Sequence, residues 1–267
     1  MPKKNKKKSN IKLAGLFVLL VLGLVILSVF FKIVFLIRDS RFDGIHKFNI
    51  EFIANEEINI VSFSPLNKSL TMLSVKDKID NKDNLSKSLG VPVDGRIITK
   101  DRLTKNNTFL ILLKSILPFG NSIKDLTQID LFRLALFSRM VSDVSISEKE
   151  ISSKFNDAQK STIISLLFSD SSIYEENQTI EIINSTDVYG LGGRLANLIS
   201  HMGGNVVLVS SGDKIEKASK IIYSGKLTYT VKKLSNYLNM PLEKSDKKSI
   251  ADVIIIIGTD KAEGDKF

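Results

Sequence analysis

The chain has 267 residues, 43% of them hydrophobic, and contains no cysteine and no tryptophan. Lack of cysteine excludes disulfides, thiol catalysis and cysteine-ligated metal or iron–sulfur centres, so any exported domain must be held by a packed core. The formal charge of +9 is unevenly placed: seven of the 38 basic residues (Lys3, Lys4, Lys6, Lys7, Lys8, Lys12 and Lys32) and none of the 29 acidic ones fall in the first 37 positions, leaving 31 basic residues and a net of +2 beyond. That asymmetry is a topology signal and not the footprint of a nucleic-acid binder.

Residues 13–31 read LAGLFVLLVLGLVILSVFF, without charge or proline, and residues 33–37 extend the run past Lys32. About 20 apolar residues cross a hydrocarbon core as a helix, and Lys32 can snorkel to the headgroups. The lysines in front keep the N-terminus in the cytoplasm and place the remainder outside. A cleaved signal peptide would have a shorter apolar region and a small-x-small site; here the run closes on Val29-Phe30-Phe31, so it reads as an uncleaved anchor. A buried core helix would show a polar face, and this one has none. The chain therefore divides into a basic cytoplasmic tail (1–12), a transmembrane helix (13–37) and a linker (38–47), followed by foldable sequence.

Residues 48–53 and 58–63 alternate as strands, 65–68 form a Pro/Asn turn, and 69–75 (SLTMLSV) is a third strand. Residues 76–88 are charged and poorly periodic, a loop or irregular helix. Residues 91–98 are a turn entering a strand. Residues 107–117 are strongly apolar and closed by Pro118-Phe119-Gly120. A helical pattern then runs over 123–141, with Leu126, Ile129, Phe132, Leu136, Phe137 and Met140 spaced by three and four. That stripe is read as a core contact, with Arg133 and Arg139 off its face. Ser147 and Glu150 have capping-box spacing, marking another helix that carries Ile151, Phe155, Ile163, Leu166 and Leu167. Residues 170–177 are a polar connector and a domain boundary.

The last segment is the most regular: strand 179–184, a loop ending in Gly190, helix 191–202 stopped by Gly203-Gly204, strand 205–210, strand 219–223, helix 227–238 and strand 252–257. The β-α-β-β-α-β order predicts a split-βαβ unit, two helices on one face of four strands. The fold class is thus α/β in the α+β sense: a transmembrane helix, a mixed domain over 48–169, and a small two-layer domain over 178–267.

Few motifs carry chemistry. Gly190-Leu191-Gly192-Gly193 lies between strand and helix, but the dinucleotide fingerprint wants glycine where Leu195 stands; it reads as a tight turn that lets helix and strand approach. His46 and His201 lack partners at ligand spacing. Glu175-Glu176 and Asp77/Asp80/Asp83 read as solvated charges. No G-x-S-x-G, S-x-x-K set or P-loop occurs.

Residues 180–186 (IEIINST), then Gly190-Leu191 and Arg194-Leu195-Ala196, then 203–209 and a closing VIIIIGTD at 253–260, resemble the LytR C-terminal domain family; Ser185 stands where glycine is usual. The resemblance implies an envelope role and points to Asn184, Gly192, Arg194, Thr259 and Asp260 as binding residues. Residues 58–75 and the Gly-x-Pro segment 90–95 are similar to a degenerate LytR-CpsA-Psr domain. That family transfers glycopolymers from a polyprenyl pyrophosphate using arginines, acids and a metal. Here Val75-Lys76-Asp77 lacks the arginine, and no clear Gly-Thr-Asp stands near Asn55-Glu56-Glu57. Lysine does not replace arginine's bidentate phosphate grip.

Two functional expectations follow. The first is a membrane-anchored, extracytoplasmic and non-catalytic envelope protein that needs no cofactor. Its partners would be the membrane, peptidoglycan or wall glycopolymer and envelope proteins, with no nucleic acid. The second is a glycopolymer phosphotransferase holding phosphate with Lys76, Asp77, Arg96 and Arg102, the one case in which magnesium would be required.

Overall fold

The computed structural model describes residues 11–55, 57–75, 89–117, 121–152, 155–246 and 249–262. Ile11–Arg38 is one 28-residue helix, α1, about 42 Å long at 1.5 Å per residue. Its apolar stretch Ala14–Lys32 buries no side chain against the rest of the protein, as befits a candidate membrane anchor.

The first sheet is built from β1 (Phe48–Ala54), β2 (Glu57–Ser64), β3 (Ser69–Val75), β4 (Gly95–Thr99), β5 (Ser122–Lys124) and β6 (Ile146–Ile151), in the order β5-β4-β1-β2-β3-β6. β1, β2 and β3 form an antiparallel meander with Phe48 opposite Phe63 and Phe63 opposite Leu70. β4 and β6 add parallel to β1 and β3. Helices α2 (Thr108–Ile116) and α3 (Gln128–Met140) cover one face, over Phe48, Ile50, Phe52, Val61, Phe63 and Ile97. Helix α4 (Asp157–Phe168) covers the other, over Ile60, Leu73 and Ile151. With both faces covered, all seven β1 residues are buried, Asn49 and Glu51 included.

Three readings of this half change. The helix of residues 123–141 starts only at Gln128; the stretch before it is the strand β5, and Asp125, at φ 61°, breaks between them. Thr127 and Asp130 then form a capping box. Ser147 and Glu150 begin no helix: they lie in β6, whose Ser-Glu-Lys-Glu side chains face water on a sheet edge. The helix starts at Asp157, capped by Asn156 and Gln159. The α3 stripe is turned about: Leu131, Leu134, Ala135 and Phe137 are buried, whereas Phe132, Leu136 and Met140 are 51%, 45% and 75% exposed. Residues 76–88 lie outside the described residues.

The second sheet comprises β7 (Thr179–Asn184), β8 (Asn205–Ser211), β9 (Lys220–Tyr223), β10 (Leu242–Lys244) and β11 (Val253–Ile257), ordered β10-β9-β11-β7-β8. Helices α6 (Leu191–His201) and α7 (Tyr229–Leu238) pack on one face through Leu195, Leu198, Val231 and Leu234 against Ile180, Ile182 and Ile255. The split-βαβ expectation fails here. β7 and β8 are direct parallel neighbours, so β7-α6-β8 is a simple crossover, and β11 pairs with β7 on its other side. Short helices α5 (Ser171–Glu176) and α8 (Thr259–Ala262) flank the sheet. Ile173 of α5 belongs to this second core, so the expected connector is part of the domain it precedes.

Candidate functional site

β7, β8 and β11 run parallel, so their carboxyl ends share one side, where open α/β sheets bind ligands. Asn184, Gly192, Arg194, Thr259 and Asp260 are spread along that side, Gly192 beside Asn184 and Asp260 beside Ser219. Most are occupied in fastening loops. Asn184 Nδ2 donates to the Val188 carbonyl at 2.9 Å, and its Oδ1 accepts from Thr186 Oγ1 at 2.7 Å. Asp260 Oδ1 accepts from the Ser219 amide and hydroxyl at 2.9 and 2.6 Å, and Ser219 Oγ accepts from Gly258 N at 2.8 Å. Thr259 N donates to the Glu216 carbonyl. A Cβ at Gly258 would come within 2.9 Å of backbone atoms of Ala218 and Ser219, and one at Gly192 within 2.9 Å of Val209 Cγ1, which is why glycine stands at both. Arg194 remains exposed on the first turn of α6, and Tyr189, in the loop that leads into that helix, is 98% exposed. Spacing gives no hint of Tyr189; a lone aromatic in a polar loop is its only signal.

Of the residues expected to grip phosphate, Arg96 and Arg102 fall among the described ones, and each is held in its own ion pair. Lys76 and Asp77 lie outside the described residues. Arg96 Nε donates to Glu51 Oε2 at 2.5 Å, Glu51 being fully buried. Arg102 Nε donates to Glu57 Oε2 at 2.9 Å, in solvent. Arg133 donates to Ser40 Oγ and the Phe42 carbonyl, and Arg139 lies over the Phe109 ring. Glu176 caps α7, accepting from the Tyr229 and Thr230 amides. Among the described residues no three His, Asp or Glu side chains gather as metal ligands.

The two sheets are joined by a polar seam. Lys233 of α7 donates to Asp94 Oδ1 at 2.6 Å, and Asp94 Oδ2 accepts from Asn49 N at 2.9 Å. Tyr237 Oη accepts from Val93 N at 3.0 Å; burial raises its pKa above the ordinary tyrosine value. Tyr229 Oη donates to buried Asp170 at 2.9 Å. Both histidines of the chain lie on this seam. His46, paired with Asp43, stacks on the Tyr229 ring at 3.6 Å between centroids. His201, 3% exposed, bridges Gly90 and α4. The Gly90 carbonyl can only accept, so Nδ1–H donates to it at 2.7 Å, and Nε2 accepts from Ser161 Oγ at 2.8 Å.

Burial lowers the pKa of His201 below its usual 6.5, against an opposing push from the Gly90 carbonyl. A depressed folded-state pKa means that stability is full above the unfolded value and lost as pH falls through the folded one. We therefore expect the unfolding midpoint to hold from pH 8 to 7 and to drop as pH falls below about 6.5. His201→Gln flattens that drop; thermal scans across pH measure both.

Residues 177–260 match the family model LytR_C, described as LytR cell envelope-related transcriptional attenuator. The match spans β7 to β11 and does not reach the first sheet. No curated protein matches the chain. Among solved structures, the chain is similar to the Lin1025 protein of Listeria innocua at 11% identity, covering 68% of this chain and 88% of that one with a TM-score of 0.18. It is similar to the Lmo1026 protein of Listeria monocytogenes at 12% identity, covering 70% and 85% with a TM-score of 0.20.

Proposed function

We propose that this is a single-pass, membrane-anchored, extracytoplasmic protein of the cell envelope that binds wall polymer without catalysing its transfer. The observation that carries the reading is a LytR_C match over residues 177–260 in a chain led by an apolar helix and a lysine tail. In this reading residues 48–169 keep a LytR-CpsA-Psr-like domain stripped of its transferase residues. The engagement of Arg96 and Arg102 by Glu51 and Glu57 favours binding over phosphotransfer, and the reading needs no magnesium.

The polymer would meet Tyr189 and Arg194 at the carboxyl ends of the second sheet. An exposed tyrosine ring offers an apolar face for sugars, and a guanidinium offers a fork for phosphate or carboxylate. That end points away from the linker: His46 stacks on Tyr229 at the opposite end, about 20 Å off along the six residues of β7.

Full-length protein in detergent is expected to sediment with purified sacculi, and the double variant Tyr189→Ala/Arg194→Ala to stay largely in the supernatant. Sedimentation unchanged by the double variant would move the contact elsewhere. No sedimentation of the unaltered protein would leave an envelope protein as the partner.

A further inference from the structure

We propose that the outward face of α2 and α3 lies on the surface of the same bilayer that α1 crosses, as an interfacial docking face for lipid. This rests on α1 being a membrane anchor. Helix α3 is apolar on two sides. Its inner side belongs to the first core. Its outer side presents Phe132, Leu136 and Met140, spaced by four and 51%, 45% and 75% exposed. Helix α2 covers the same sheet face beside it and adds Leu110 and Leu113, 52% and 41% exposed, with Leu117 at its C-terminus 61% exposed. Six large apolar side chains on one two-helix layer exceed the scattered exposure ordinary on a soluble surface.

The path of the chain out of α1 says what covers them. α1 ends at Arg38, and Ser40 Oγ already donates to Asp130 at 2.8 Å in the first turn of α3. Two residues reach about 7 Å at most, so α3 begins where the chain leaves the lipid. Arg133, one turn on, reaches back to Ser40 Oγ at 3.3 Å and to the Phe42 carbonyl at 3.0 Å. The side of α3 bearing Arg133 therefore faces the point of exit. Positions three and seven beyond a residue share its side of a helix, and these are Leu136 and Met140. The bare stripe is thus turned to the place where a bilayer already stands. Arg133 and Arg139 border it with long apolar stems and cationic ends, the pattern of an interfacial helix on anionic lipid.

A cysteine-free chain allows a clean test in the full-length protein. Single substitutions Leu113→Cys, Met140→Cys, Asp213→Cys and Val25→Cys each receive an environment-sensitive fluorophore. Each is reconstituted in phosphatidylcholine–phosphatidylglycerol vesicles with and without nitroxide-bearing acyl chains. Labels at positions 113 and 140 are expected to emit blue-shifted light and to be quenched several-fold more than the label at 213, at every protein-to-lipid ratio. Quenching no greater than at 213 overturns the proposal. A blue shift without lipid quenching that grows with protein density also overturns it, and assigns the face to a second copy. Loss of quenching at position 25 shows that the anchor reading itself has failed, which keeps the two failures apart.

Discussion

Asp130→Ala will destabilise the first domain by about 3 kcal/mol, because several buried donors lose their acceptor at once and each unsatisfied group costs roughly 1–3 kcal/mol. Asp130 is wholly buried at the start of α3. One carboxylate oxygen accepts from Ser40 Oγ and the amides of Arg41 and Phe42, all at 2.8 Å. The other accepts from the amide and hydroxyl of Thr127, both at 2.8 Å. Alanine removes the second half of the capping box and leaves two linker amides beside a core that holds Phe42 against Phe48 and Phe137. Thr127→Ala, which loses only the cap, should cost about 1 kcal/mol. Denaturant titration of both variants gives the two numbers, and hydrogen exchange over residues 40–47 should accelerate only in Asp130→Ala. Equal losses in the two would show that the linker contacts contribute nothing.

Lys233→Met should cost about 3 kcal/mol, concentrated at the seam between the sheets. It leaves the Asp94 carboxylate, 3% exposed, with the Asn49 amide and, among the described residues, no other cation in a salt bridge. The aliphatic stem of Lys233, near the Phe48 ring, is largely replaced by methionine, so the loss reports charge more than packing. Exchange at residues 89–94 and in α7 should quicken while the slow amides of β1 and β11 keep their rates. The double variant Asp94→Asn/Lys233→Met should recover part of the loss, since no unpaired charge then remains buried. A double variant as unstable as the two single losses combined would sink this account.

The elements with strong periodicity were legible in the sequence, and for a clear reason. Residues 13–31 are apolar on every side, and 179–184 and 191–202 alternate or repeat against a single core. Short edge strands were not. β5 has three residues and β10 three, all of β10 exposed, so neither leaves an apolar pattern. β6 carries Ser147 and Glu150 at cap spacing but is held by pairing with β3, a tertiary fact. The α3 stripe was visible, yet spacing cannot say which of two apolar sides faces in. Asn184, Thr259 and Asp260 were singled out through the resemblance alone, while their hydrogen bonding to neighbouring loops depends on side-chain geometry. The seam was invisible: Asp94 and Lys233 stand 139 residues apart, and nothing local to either announces the other.

The order in which the first sheet is closed has a consequence for biosynthesis. β3 waits for β6, joining Leu70 to Ile146, and Ser40 waits 90 positions for Asp130. Until the ribosome has delivered those later segments, the newborn polypeptide is an unfinished strip with open sheet edges. A chaperone is what would guard it during that interval.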